Sequence, residues 1–182
     1  MFSYLRLVRF PLVLTAVADS FAGSVVATGG EVDLRLLPLL AVVSATLYCF
    51  GMGSNDLADR ERDRELHPER VLPSGVIPVT SASVFLLTLL LLSGGAVYSL
   101  SWFGASEGSL GIRLGVWGAV VGLILLYNYG GKKFQGVGPL FMGLGRGGNL
   151  LLGVVVVSGV TGNVGLIAGM NVLYVLFLTL VS

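Results

Sequence analysis

Charge is scarce in this sequence. Asp, Glu, Lys and Arg make up 12% of its residues, about half the ~25% usual in soluble domains. That shortage excludes an ordinary soluble globule and indicates an integral membrane protein. The 54% hydrophobic share and the mean hydropathy of +0.89 agree. Cysteine is reduced to Cys49, inside an apolar run, so an intrachain disulfide is excluded and no cysteine metal cluster is suggested. His67 is the lone histidine, in a His-Pro turn without an obvious carboxylate or serine partner, and reads as structural. A net charge of +1 lacks the basic excess that nucleic-acid binding needs. Acidic residues stop altogether after Glu107. The apolar runs also lack polar–apolar alternation, which excludes barrel strands and leaves helices as the spanning element.

What the chain has in quantity is apolar length. Six runs, roughly 11–26, 36–53, 76–100, 110–128, 137–160 and 164–181, each approach the ~20 residues that a bilayer core requires. The first follows Arg6 and Arg9 and contains Ala16-Val17-Ala18, a pattern shared with secretory signal peptides. Apolar residues resume at Phe21, however, so a first transmembrane helix is expected rather than a cleaved leader. The 27 glycines suit close helix packing in a membrane, and GxxxG spacings at Gly111/Gly115, Gly118/Gly122 and Gly143/Gly147 are expected at helix contacts. The fold class is therefore all-α, a polytopic membrane bundle of about six helices forming a single membrane domain over 1–182. Arg6, Arg9, Arg60, Arg62, Arg64, Arg70, Lys132 and Lys133 fall on one side, against Arg35 and Arg113 on the other. This asymmetry places the N-terminus and the 54–75 and 129–136 loops in the cytoplasm.

Most of the charge lies in one stretch, 55–75, which reads NDLADRERDRELHPERVLPSG. Asn55, Asp56, Asp59 and Asp63 sit at i, i+1, i+4 and i+8, within an arc of roughly 100° on a helix. Such a row of oxygen ligands suits Mg²⁺, which keeps further positions for water or substrate phosphates. The alternative is a solvated juxtamembrane segment whose arginines and glutamates, including Glu61, Glu65 and Glu69, pair with one another. Arg64 and Arg70 either join those pairs or turn toward phosphate.

NDLADRERD resembles the first aspartate-rich motif, N-D-x-x-D-x-x-x-D, of the UbiA superfamily of intramembrane prenyltransferases. RVLPSG is similar to the R-P-L-x-S-G turn that follows it. Arg70, Leu72, Ser74 and Gly75 match, and Val71 stands where proline is usual. YLRLVRFPLVLTAVADSFAG, near the N-terminus, is similar to the family's first helix. The D-G-x-x-A-R signature of membrane CDP-alcohol phosphotransferases is missing.

The resemblance implies Mg²⁺-dependent transfer of a prenyl group from a prenyl diphosphate to a lipophilic, commonly aromatic, acceptor inside the membrane. Asn55, Asp56, Asp59 and Asp63 would hold the metal, Asp56 and Asp59 acting catalytically through it. Arg64, Arg70, Tyr129, Lys133 and Arg146 would contact the diphosphate, with Lys133 also catalytic. Tyr129 and Lys133 match the family's Y-x-x-x-K element. By composition alone they read equally as a positive-inside anchor with an interfacial aromatic. Asp19 and Arg146 lie within apolar runs, where an ionised side chain costs at least ~2.5 kcal/mol, so both should face the interior. They either line the substrate cavity with Asn149 or pair with each other. Asn171 is expected to hydrogen-bond between helices.

The family architecture has nine helices and a second aspartate-rich motif between the sixth and seventh. This chain covers roughly its first two-thirds, as a shortened product would, and has no second motif. The competing reading is a non-catalytic isoprenoid- or lipid-binding membrane protein, or a subunit of a system transporting a prenylated product. Catalysis by the short chain would instead require an oligomer or partner subunit to supply the missing acids.

Overall fold

The computed structural model describes residues 2–103, 110–131 and 137–157, together with 169, 170 and 173. Most of the expected sixth span, with Lys133, Glu107 and Asn171, lies outside the described residues. Helices account for about four-fifths of the described residues, and no strand occurs among them. They are α1 (Phe2–Leu7), α2 (Val13–Ala27), α3 (Leu37–Ala58), α4 (Arg60–Leu66), α5 (Val79–Ser99), α6 (Leu110–Tyr129) and α7 (Val137–Val157). A 3₁₀ turn, Phe10–Leu12, joins α1 to α2.

Among the described residues, four helical segments are long and apolar enough to cross a membrane: Phe10–Ala27, Leu37–Ala58, Val79–Trp102 and Leu110–Tyr129. In α7 the apolar part is Gly143–Val157. The second span therefore runs past 53 to Ala58. No proline or glycine follows Gly53 to stop it, and Ser54, Asn55 and Asp56 remain helical. The acidic motif begins inside a transmembrane helix rather than in a loop.

Lipid removes the hydrophobic drive between helices, so shape and polar ties must hold the bundle. Helix α2 packs on α7 and α3, α3 on α5, and α6 on α7. A methyl added at Gly23 would strike the Leu150 carbonyl, and one at Gly153 the Ser20 carbonyl. Glycine is thus what lets α2 and α7 touch backbone to backbone. This corrects the expectation from GxxxG spacing on α6, whereas Gly143 and Gly147 of α7 are buried. Gly115, Gly118 and Gly122 on α6 face open space, whereas Gly23, Gly53, Gly148 and Gly153 fill contacts. Leu40, Val43 and Leu47 of α3 meet Val97 of α5, Val120 of α6, and Leu152 and Val156 of α7 in the main apolar core.

Buried polar side chains tie the helices across that core. The Trp117 indole donates to the Ser93 hydroxyl at 2.9 Å, linking α6 to α5. The Asn128 amide donates to the Ser54 hydroxyl at 2.6 Å and to the Gly51 carbonyl at 3.2 Å, linking α6 to α3 beside the acidic motif. Arg113, expected in a loop, is instead buried in the first turn of α6, with 2% of its surface exposed.

Candidate functional site

Helix α3 carries Asn55 and Asp56 in its last turn and ends with Asp59 as its cap. The chain continues almost directly into α4, whose Asp63 N–H donates to the Asp59 carbonyl at 2.8 Å. The four motif residues thus remain close to the single helical course that their spacing predicts. Pro68 cannot continue α4, which gives way at His67. In the turn that follows, Leu72 and Ile77 are buried against Leu7 and Ala82. Gly75 takes a φ of +74°, which only glycine adopts without strain.

This turn delivers Arg70 to Asp63. Its guanidinium donates to Oδ2 at 2.7 Å, and the Asp63 side chain is only 6% exposed. The hydrogen bond from Arg70 to Asp63 raises the guanidinium above its ordinary pKa. Asp56 has a looser partner: Arg9 Nη2 approaches Oδ1 at 3.4 Å, with 44% of the arginine side chain exposed. Asp59 lies within electrostatic reach of the Tyr127 phenol. Arg64 turns to Glu61 at 2.9 Å on the exposed side of α4, and Arg60 bonds the same carboxylate. Tyr129 is exposed at the end of α6.

A second polar layer lies deeper. Arg146 of α7 reaches α2, where Nη2 donates to Asp19 Oδ1 at 2.9 Å, Nε lies 2.6 Å from Oδ2, and Nη1 donates to the Thr15 hydroxyl at 2.9 Å. Of the two arrangements open from sequence, the mutual pair is the one adopted. Asn149, one turn along α7, donates to the Ala16 carbonyl and accepts from the Ser44 hydroxyl at 2.8 Å. Tyr48 of α3 sits within electrostatic reach of both Arg9 and Arg146. Tyr48 precedes Asp56 by eight residues, about 12 Å along the helix, and so connects the two layers.

Arg9, Thr15, Ser44 and Tyr48 were not read from the sequence as site residues. Arg9 looked like flanking positive charge, and the hydroxyls looked like helix filler. The helical offset of Tyr48 from Asp56 was the one available signal. A groove of about 660 Å³ between α1 and α5 is walled by Tyr4, Leu5, Val8, Val84 and Phe85, with Thr80 and Ser81. None of the motif carboxylates lines it.

The sequence profile of the UbiA prenyltransferase family matches residues 16–182. The chain belongs to that family. Among curated UbiA relatives, the digeranylgeranylglyceryl phosphate synthase of Methanocaldococcus jannaschii is 31% identical over 99% of this chain and 56% of its own length. The synthase of the same name from Methanococcus aeolicus is 30% identical over 93% of this chain and 52% of its own. The chain therefore spans about half the length of the curated relatives it matches. A solved digeranylgeranylglyceryl phosphate synthase structure superposes with a TM-score of 0.82 at 25% identity, covering 96% of this chain and 59% of that one. A UbiA homologue from Archaeoglobus fulgidus, bound to DMAPP and Mg²⁺, shares the fold with a TM-score of 0.73 at 18% identity, over 96% and 60% of the two chains. The apolar helices and the family together make this an integral membrane protein.

The motif's donor set is all oxygen, the kind that magnesium takes. Among the described residues no three acidic, histidine or cysteine side chains converge as a metal-holding group. Arg9 faces Asp56 and Arg70 engages Asp63. The donor chemistry fits Mg²⁺, and guanidinium groups neutralise two of its carboxylates.

Proposed function

We propose that the chain binds a prenyl diphosphate through Mg²⁺ at Asn55, Asp56, Asp59 and Asp63, and serves prenyl transfer to a lipophilic acceptor within the membrane. The observation that carries this reading is the placement of Asn55 and Asp56 at the end of a membrane-spanning helix, with Arg9, Tyr127 and Asn128 from other elements gathered around it. Arg70 and Tyr129, together with Lys133, supply further phosphate partners, and Arg64 would join them on leaving Glu61. Bound magnesium would draw charge from the departing diphosphate.

The chain's own residues then do the remaining work. Arginine and phenol groups hold the phosphate oxygens while the C–O bond to the prenyl chain breaks. Apolar helix faces keep water from the allylic cation until the acceptor attacks and gives up a proton. The Arg146–Asp19 pair and Asn149 tie α7 to α2 and α3 and so steady the bundle around the motif. An aromatic acceptor was expected from the resemblance. The names of the relatives favour a prenylated glyceryl phosphate, and we adopt that class. We place the motif and the N-terminus in the cytoplasm, where soluble diphosphates and magnesium are available, and read 1–182 as one membrane unit.

A second reading, binding without turnover, is favoured because among the described residues no three acidic, histidine or cysteine side chains converge as a metal-holding group. Incubating the purified chain with Mg²⁺, geranylgeranyl diphosphate and either acceptor, with product detection by mass spectrometry, decides between them. A doubly prenylated glyceryl phosphate that disappears with Asp56→Ala supports the enzyme. Diphosphate binding without product supports the binding protein.

A further inference from the structure

The two ion pairs of the acidic motif are unlike each other. Asp63 and Arg70 meet at 2.7 Å with the carboxylate buried. Arg9 and Asp56 meet at 3.4 Å through one nitrogen, with the guanidinium half in solvent. Charge-assisted pairs close to about 2.7–2.9 Å, so Arg9 is weakly held. Its backbone is nevertheless unusual. Arg9 has φ 49° and ψ 48°, and is the one non-glycine residue with positive φ among those described. A side chain in this left-handed region costs on the order of 1 kcal/mol, and such strain gathers where geometry serves function. The turn lies between α1 and the 3₁₀ segment and sets Arg9 against Asp56 at the end of α3. Leu7 and Val8, immediately before it, are buried and fix the turn. Asn55, Arg70 and Asp63 lie within electrostatic reach of the Asp56 carboxylate.

Resting on the reading above, we propose that Arg9 is an exchangeable counter-ion. It neutralises Asp56 while the site is empty and moves to a diphosphate oxygen when a divalent cation takes the carboxylate. Each state keeps the carboxylate's charge balanced, which matters in a low-dielectric site. The guanidinium travels only by side-chain rotation, because the strained turn already holds its backbone above the motif. With Tyr48 within reach of Arg9 and Arg146, the moved guanidinium lies on the path between the two polar layers.

The proposal predicts effects of opposite sign from a single substitution. Arg9→Gly keeps the left-handed turn without strain, and Arg9→Asn is a second variant suited to that conformation. Manganese binding without substrate, followed by electron paramagnetic resonance, should tighten several-fold in both variants because the competing cation is gone. Affinity for geranylgeranyl diphosphate at saturating Mg²⁺ should fall by about tenfold or more, the scale of a lost charged hydrogen bond. Arg9→Lys should restore part of it. A merely structural arginine would weaken both or change neither, and either result overturns the proposal. If wild-type chain binds no manganese that Asp56→Ala removes, the metal reading of the motif falls and takes this proposal with it. If that binding is present but Arg9→Gly leaves both affinities unchanged, only the role of Arg9 falls.

Discussion

Asp63 and Arg70 show what a motif cannot disclose by spacing. The seven-residue offset was legible, but the turn that folds Arg70 back depends on Leu72 and Ile77 finding Leu7 and Ala82. Removing the arginine leaves a buried carboxylate with its partner gone. Arg70→Ala should cost about 2 kcal/mol, below the ~3–5 of a fully buried pair, because a third of the arginine side chain remains in solvent. Thermal unfolding in detergent would read the loss, and the double variant Asp63→Asn/Arg70→Gln should recover much of it. Since the folded-state pKa of Arg70 is raised, its contribution is complete below the ordinary arginine value and fades only as pH rises through the raised one. Stability between pH 6 and 9, roughly, should therefore be insensitive to this arginine's titration. Other residues of the site were less legible. Arg9 meets Asp56 across 47 positions, and spacing on one helix carries no information about such a partner. The Arg146–Asp19 pair, 127 positions apart, is instead one of the two arrangements left open by the cost of an ionised side chain in an apolar run.

At the scale of elements, apolar length gave the helices and left their contacts open. The runs near 11–26, 36–53, 76–100 and 110–128 correspond to membrane-length helices. The GxxxG pairs on α6 misled because a spacing identifies a smooth face without saying what it touches. Gly23 and Gly153 lack the spacing but carry the α2–α7 contact. Gly153→Ala, forcing a methyl into the Ser20 carbonyl, should therefore cost about 1–3 kcal/mol or more and lower the unfolding temperature. Gly118→Ala, facing open space, should be neutral or stabilising by up to about 1 kcal/mol. The reverse order would contradict the packing described.

For the whole molecule, the fold brings the N-terminal segment, the acidic motif and the end of α6 to one end of the bundle, as the Arg9–Asp56 and Asn128–Ser54 contacts establish. We place that end on the cytoplasmic side from the basic-residue asymmetry, from which Arg113, buried in α6, drops out. Cys49 is buried, so cysteines introduced elsewhere can be read against a low background. With an impermeant maleimide, Arg62→Cys should label only from the cytoplasmic side and Arg35→Cys only from the other. Labelling of both from one side would break the assigned topology.

The central claim is that the acidic motif holds a prenyl diphosphate through magnesium. Calorimetric titration of the purified chain with geranylgeranyl diphosphate, with Mg²⁺ and then with EDTA, tests it most directly. The account predicts binding that requires the metal and is lost in Asp56→Ala. Equal affinity with and without Mg²⁺, or in the presence and absence of Asp56, would contradict it.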